Sequence, residues 1–373
     1  MVKQGVSSDF LEELLDFLKN GIREFSVVVM PDFFFDRFLS ISFDAESFCD
    51  ALMDVIERKG GSIDGIEQAE FRGGNAINTA SALAALGVNV TPIVCTSKLG
   101  LEFIRFYLKS SMVNLSRVKI LEKPSITTAM EFKTEKGKAN VMLRDVGSLA
   151  NFGPNNLSSE DFEAIEKADY ACVFNWAGTR RFGTELAETV FRHVKTKGKG
   201  KTYCDTADPT PNNEKVSELT RKVLQSKFLD ILSVNENEAV CYVSQVSNEL
   251  KKIGKRLKFN ELAKEAAKIL RSHLSARVDL HTTSFSVTFT KKGETVVPAF
   301  KVPVLRVTGA GDAWNAGNIV GDACGLSDGC RLLLANAVAA YYISSSNGLH
   351  PTREKLIEFL ERFKRKSSSI ASA

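Results

Sequence analysis

At 373 residues the chain exceeds what one ordinary domain core needs, so a large domain with a smaller appendage, or two domains, is expected. The 49 Lys and Arg against 45 Asp and Glu leave a net charge of +4, too slight to signal a nucleic-acid or membrane partner, and small neutral or anionic ligands stay open. The 7 cysteines (Cys49, Cys95, Cys172, Cys204, Cys241, Cys324, Cys330) form no CxxC pair and are odd in number, which argues against a disulfide framework or zinc ribbon and for a reducing, cytoplasmic setting.

In chain order, apolar residues at Phe10, Leu11, Leu14, Leu15, Phe17 and Leu18 predict an amphipathic helix, an N-terminal extension over about 1–24. The start lacks the basic end and apolar run of a signal peptide, and no segment approaches the length that spans a bilayer. FSVVVM reads as a buried strand ending at Pro31, and SFCDALMDVIERKGG as a helix. AINTASALAALG is a helix capped by Gly87, followed by a strand, VTPIVCT. The alternation in TTAMEFKTEKGKANVMLRD around Glu135, Lys136 and Gly137 is that of a β-hairpin. DYACVFNWAG, GKTYCDTA and LDILSVNENEA are short apolar runs with polar ends, separated by helical stretches, which is the rhythm of a parallel sheet wrapped by helices. LHTTSFSVTFTKKGETVVPAFKV reads as antiparallel strands turning at Lys292-Gly293, VPVLRV as a strand, and the remainder as three helices before a frayed SSSIASA. The expected fold class is α/β, a doubly wound sheet flanked by helices over about 25–350, with a small β-sheet lid from about 33–72 and 125–150 and a C-terminal helix and tail over 351–373.

Three stretches carry candidate chemistry. In RVTGAGDAWNAG, Gly309, Ala310 and Gly311 strip the start of a helix of side chains just before Asp312. Exposed amides at the positive end of a helix suit a phosphoryl group, and Asp312 would stand where a hydroxyl approaches it; alternatively Asp312 is only an N-cap. In FRGGNAINTASALAALG, Gly73 and Gly74 precede a helix whose Asn75 and Asn78 share one face and could meet a polyol, or serve merely as turn and cap. In SVNENE, Asn235 and Glu238 follow a strand end and could hold Mg²⁺ through water, an ion that keeps much of its hydration, or else begin a solvated helix.

The order of these motifs, GGNAINTASALAALG, then an alternating hairpin, then NxxE, then VTGAGDAWNAG, resembles the PfkB carbohydrate kinase family, also called the ribokinase family, over about residues 25–350. The resemblance implies a ribokinase-like fold and a Mg²⁺-dependent kinase moving the terminal phosphoryl group of a nucleotide, ATP by family default or ADP, to a sugar or nucleoside hydroxyl. On it Asp312 is the catalytic base and the amides of Gly309, Ala310 and Gly311 form an anion hole. Asn235 and Glu238 match the NxxE motif implicated in Mg²⁺ and phosphate organisation. Asp36 takes the acceptor-binding acid after the first strand, with Asp32 a nearby competitor, beside Gly73, Gly74, Asn75 and Asn78. Asn235, Thr308, Gly309, Gly311 and Asn336 fall on nucleotide-binding positions. A homodimer through the lid is a further expectation.

Two departures from the family stand out. Arg306-Val307 replaces the family's Asp-Thr, which helps hold a monovalent cation, so a potassium requirement is open and a guanidinium is a candidate replacement for that charge. HTTSFSVTFTKKGE occupies the place of the TxGxxG loop near the nucleotide phosphates. Asn75, where sugar-phosphate kinases of the family often carry Lys, favours an uncharged sugar or nucleoside. Alternatives are a sugar-phosphate kinase (for example of ribose 1-phosphate) gripping its acceptor with Arg180 and Arg181, or a silent sugar- or nucleotide-binding regulator. A P-loop is excluded because Lys195 stands where glycine is required, and a dinucleotide fold because no GxGxxG follows the first strand.

Overall fold

The computed structural model describes residues 8–134, 137–250 and 257–371. In chain order the elements begin with α1 (Ser8–Asn20), β1 (Ser26–Met30), β2 (Phe34–Ile41), α2 (Ala45–Glu57), β3 (Glu67–Gly73) and α3 (Asn75–Ala85). There follow β4 (Asn89–Pro92), β5 (Cys95–Thr96), α4 (Lys98–Tyr107), β6 (Lys119–Ile120), β7 (Ser125–Thr134) and β8 (Gly137–Asp145). The second half contains α5 (Ser159–Lys167), β9 (Tyr170–Phe174), α6 (Gly183–Lys197), β10 (Lys201–Asp205), α7 (Val216–Leu219), β11 (Ile231–Val234), α8 (Glu236–Val246) and α9 (Phe259–His273). It closes with β12 (Arg277–His281), β13 (Phe285–Thr290), β14 (Gly293–Pro298), α10 (Ala310–Ala323), α11 (Asp328–Ile343) and α12 (Arg353–Ala371).

The main sheet has the order β14-β13-β12-β11-β10-β9-β1-β4. It is parallel from β12 to β4; β13 pairs antiparallel with β12, and β14 antiparallel with β13. Successive residues of the central strands enter opposite cores, because strand side chains alternate. Val27, Val29, Cys172 and Tyr203 face the layer built from α1, α3, α10 and α11, while Val28, Met30, Val173 and Cys204 face α5, α6, α8 and α9. Both faces are therefore covered, as the near-continuous apolar strands require. The buried stripe of α1, Leu11, Leu14, Leu15 and Leu18, belongs to the first of these cores.

A second sheet, β3-β2-β7-β8, forms the lid. Its two middle strands are parallel and its outer strands antiparallel to them. The hairpin expected around Glu135 and Lys136 is present as β7 and β8, those two residues themselves lying outside the described ones. No described helix is long and apolar enough to cross a membrane.

Two expected strands differ. VTPIVCT divides, β4 staying in the main sheet and β5 pairing with β6; past Pro92, Ile93 and Cys95 still donate to the Val29 and Pro31 carbonyls at 2.8 and 3.1 Å, but Pro31 has no N–H to return a bond. VPVLRV forms no strand. Pro303 removes a donor, Leu305 donates its N–H to the Ile343 carbonyl at 2.8 Å, and Val304, Leu305 and Val307 are all exposed, so the apolar run crosses the surface as a loop.

Candidate active site

The carboxyl ends of β1, β9, β10, β11 and β12 lead directly into Asp32, Asn175, Asp205, Asn235 and His281, a row of polar residues along the edge where parallel sheets place ligands. The strand order reverses around β1, the point at which the chain opens such a crevice.

Asp32 organises the base of that crevice. It is fully buried; Oδ1 accepts from the Ala76 N–H at 2.8 Å, and Oδ2 from the Asn75 N–H at 2.8 Å and Asn175 Nδ2 at 2.7 Å. The N-cap of α3 is Gly74, which has no side chain to satisfy the first-turn amides, so Asp32 supplies the missing acceptor from another element. Gly74 is required because its φ is +94° and a Cβ would lie 2.8 Å from Phe33 Cα. Burial raises the Asp32 pKa, opposed by these three donors and by Arg144.

Asp36 stands on β2, in register with Phe71 and Thr127. Its carboxylate occupies the space a side chain at Gly73 would fill. Burial pushes its pKa up to about 7, with the Thr127 hydroxyl and the Arg144 charge acting the other way and Asp32 adding repulsion. Arg144, from β8, lies over the Phe34 ring at 5.2 Å. Of the two competing acids, Asp32 is committed to the α3 terminus, while Asp36 has no backbone N–H donor among the described residues.

The two glycine motifs meet at Asp312. The carboxylate is 5% exposed; Oδ1 accepts from Asn75 Nδ2 at 2.9 Å and Oδ2 from Asn78 Nδ2 at 3.0 Å. The carboxamides expected to face a polyol thus each turn an N–H to the acid, and have a second N–H and an oxygen beyond that bond. Burial raises the Asp312 pKa well above the ordinary carboxylate range, Asn78 and Asn75 lower it, and the Asp205 and Asp32 charges raise it. Gly309 caps α10 in the left-handed region with φ +88°, after an exposed Thr308. Ala310 donates its N–H to the Val307 carbonyl at 3.2 Å, whereas the N–H groups of Gly311 and Asp312 meet no acceptor among the described residues. Asp205 accepts from Asn315 Nδ2 at 2.7 Å, which ties the floor of α10 to the end of β10.

Asn235 and Glu238 form a reciprocal cap on α8. Glu238 accepts from the Asn235 N–H at 3.0 Å and from its Nδ2 at 2.7 Å, while Asn235 Oδ1 accepts from the Glu238 N–H at 3.0 Å. Glu238 is buried at 2% exposure, while Asn235 and Glu236 are half-buried and Asn237 is exposed. Burial, then Asp205, Asp208 and Glu236, raise its pKa, and Asn235 opposes them. No group of three His, Cys, Asp or Glu among the described residues could cage a metal ion. A negative field with few available ligand atoms fits a hydrated cation such as Mg²⁺ rather than a dehydrated one.

The remaining expected residues are dispersed. Asn336 reaches the site only through Trp314: its Oδ1 accepts from Trp314 Nε1 at 2.9 Å and Ser286 Oγ at 2.5 Å, and its Nδ2 donates to the Pro298 carbonyl at 3.1 Å. Arg180 donates to the Pro211 carbonyl, and burial together with Arg144 lowers its pKa; Arg181 is exposed, with its guanidinium 5.9 Å from the Phe182 ring. Arg306 donates from Nε to the Ser345 carbonyl at 3.2 Å and from Nη2 to the Ser346 carbonyl at 3.1 Å, and lies 5.6 Å from the Phe71 and Tyr342 rings. Sequence reasoning missed Asn175, Asp205, Arg144, Thr127 and His281. Strand-end position singles out Asn175, Asp205 and His281, whereas the two lid residues carry no separate signal in an alternating hairpin.

A doubly wound sheet with a small sheet beside its strand ends defines the ribokinase-like class of α/β proteins. The chain belongs to the pfkB family of carbohydrate kinases, whose family model matches residues 43–355. It is similar in structure to ribokinase from Cryptococcus neoformans var. grubii in complex with ADP, with 17% identity, 90% of this chain and 98% of that chain covered, and a TM-score of 0.68. Arabidopsis thaliana ribokinase complexed with ribose and ATP shares 18% identity over 91% of this chain and 99% of that chain, with a TM-score of 0.65. The nucleoside kinase of Methanocaldococcus jannaschii shares 17% identity over 92% of this chain and 99% of that chain, with a TM-score of 0.64. No curated protein sequence matches the chain.

The placement of Asp32 makes it a stability residue. Asp32→Ala strands two backbone N–H groups and the Asn175 amide in the interior, and is expected to cost about 2–4 kcal/mol, read as a shift of the urea midpoint at unchanged slope.

Proposed function

We propose that the protein is a Mg²⁺-dependent kinase that transfers the terminal phosphoryl group of a nucleotide, ATP in the first instance and ADP as the alternative donor, to a hydroxyl of an uncharged sugar or nucleoside. The observation that carries this reading is the convergence of Asn75 and Asn78 on Asp312, next to the unpaired N–H groups of Gly311 and Asp312. In it the amides stabilise the charge on the phosphoryl oxygens, and Asp312 accepts the proton of the acceptor hydroxyl as its oxygen bonds to phosphorus and the nucleotide's bridging oxygen leaves with the electron pair. A raised pKa suits Asp312 to that task, since a more basic carboxylate takes the proton more readily. Asn235 and Glu238 would hold Mg²⁺ through water, and the ion would supply charge that neutralises the phosphoryl oxygens. Asp36 and the lid strands bind the acceptor, and lid closure excludes the water that would otherwise compete. Support for the acceptor class comes from the ribose-bound and nucleoside-kinase relatives and from Asn75, which brings no positive charge for an acceptor phosphate. Arg180 is engaged with Pro211 and Arg181 is exposed, which weighs against a phosphorylated acceptor.

Asp312→Asn is expected to lower kcat by about 10²- to 10⁴-fold while leaving ATP affinity near that of the wild type. A panel of sugars, nucleosides and sugar phosphates, assayed with ATP and ADP separately, checks it, and near-normal turnover in the variant would overturn the base assignment.

Because the Asp36 pKa lies at about 7, its carboxylate is half protonated near neutrality and gains acceptor capacity as pH rises. The acceptor KM is expected to fall as pH increases through about 7 and to lose that dependence in Asp36→Asn, with kcat changing less.

Arg306 places a fixed positive charge against the Ser345 and Ser346 carbonyls. Turnover is therefore expected to agree within about twofold in potassium, sodium and tetramethylammonium chloride at equal ionic strength. A strong requirement for potassium would show that the guanidinium does not serve as the site's cation.

A further inference from the structure

The last polar residue in the strand-end row is His281, and it is unlike its neighbours. Its Nε2 is shielded from solvent yet has no hydrogen-bond partner among the described residues. Buried polar atoms are ordinarily paired, so an orphan beside a cleft marks a place for a ligand atom. The imidazole is held in position: its ring lies on that of Trp314, with centroids 4.9 Å apart and planes at 34°. Trp314 is anchored in turn, its Nε1 donating to Ser286 Oγ and Asn336 Oδ1, both at 2.9 Å. The Cε1–Nε2 edge of the ring faces Gly311. A Cβ at that glycine would lie 3.4 Å from Cε1 and 3.9 Å from Nε2, so its absence leaves the imidazole open to whatever approaches the Gly311 amide.

The loop that follows has its own amides engaged. The Thr283 N–H donates to Glu236 Oε1 at 3.2 Å, and the N–H groups of Ser284 and Phe285 donate to Thr282 Oγ1 at 3.1 and 3.0 Å. Its backbone is therefore turned inward and does not present a cradle for an anion. Among the described residues, the unpaired donors at this edge of the site include the imidazole and the amides of Gly311 and Asp312.

We infer that His281 is a phosphoryl-binding residue: its Nε2 donates a hydrogen bond to an oxygen of the nucleotide's terminal phosphates, alongside the N–H groups of Gly311 and Asp312. This rests on the nucleotide site proposed above and adds to it a side-chain ligand that replaces a backbone loop. The charged groups facing the imidazole are Asp205 at the end of β10, Glu236 at the start of α8 and Asp279 on β12. Burial outweighs them and holds the ring's pKa below its ordinary value, so the ring is neutral at pH 7 until an anion arrives. A bound phosphoryl group favours the imidazolium, and ATP binding then takes up a proton.

Isothermal titration of the protein with Mg²⁺ and ATP, with adenosine as the phosphate-free control, tests this in buffers of different ionisation enthalpy between about pH 6 and pH 8. His281→Ala is expected to weaken ATP binding by about tenfold or more, to leave adenosine binding unchanged and to abolish the proton uptake. His281→Gln, which keeps an N–H but does not titrate, is expected to restore part of the affinity without the pH dependence, and serves as the readout should the alanine variant fail to fold. Wild-type ATP affinity in both variants, or an equal loss for ATP and adenosine, would overturn the assignment. ATP binding that depends on His281 in a protein that phosphorylates no acceptor would sustain it while overturning the kinase reading, and a wild-type protein that binds neither ATP nor ADP would overturn both.

Discussion

Two amide groups and one carboxylate, drawn from positions 237 and 234 residues apart, hold the candidate site together. Asp312 sits at the start of α10 and Asn75 and Asn78 at the start of α3, so the contact fixes two helix N-termini tip to tip at the edge of the sheet. That arrangement is electrostatically economical for an anion and costly for the protein. Both helices bring their positive ends to one place, which favours negative charge there, yet the acid is cut off from solvent and has no cation bonded to it. Neutral donors are a compromise between these demands. They hold the carboxylate in position without the strong pKa depression that a lysine or arginine at hydrogen-bond distance would impose.

The same logic separates the other buried acids. Asp32 receives three N–H donors and acts as the cap of α3; Glu238 receives two from Asn235 and caps α8. Asp205 is tied to Asn315, whose Oδ1 in turn accepts from Tyr203 and Ser233, both at 2.7 Å. Asp279, by contrast, is paired with arginines, Nε of Arg277 at 3.0 Å and Nη1 of Arg331 at 3.1 Å, and the pairing lowers its pKa despite full burial. Cations thus neutralise the acid beneath α10, while Asp32, Glu238 and Asp312, nearer the strand ends, are held by amides and keep raised pKa values. The two large apolar cores on either face of the sheet offset the cost of burying them.

The architecture was legible wherever a pattern had one physical cause. Val27, Val28 and Val29 in a run bounded by Pro31 form a strand buried on both faces, and the Ala-rich run after Asn75 forms a helix that stops at Gly87. GAGD and GGN were legible as helix starts, because small residues allow the turn that brings the chain into a helix just before a polar residue. Asp32 and Asp36 remained in competition because both follow the same strand, and only the donors contributed by α3 and Asn175 tell them apart. VPVLRV was misread because apolar content alone does not reveal whether a partner strand is present. Asn175 escaped notice for a different reason: a polar residue after a strand resembles any loop start until the sheet order shows which strand ends are adjacent.

The departures from the family pattern share a physical form. Arg306 lies against Phe71 and Tyr342, and His281 against Trp314, so each cationic or protonatable group is immobilised on an aromatic face. They flank the same turn from two sides: a Cβ at Gly309 would come 2.7 Å from the Tyr342 hydroxyl, and one at Gly311 would touch the His281 ring. Side chains anchored in this way lose little freedom when a ligand arrives, so their hydrogen bonds cost less to form than those of a mobile loop. A phosphoryl group at Gly311 and Asp312 would then meet fixed donors on both sides of α10, and the absence of side chains at 309 and 311 is what allows an arginine-backed tyrosine and a histidine to stand that close.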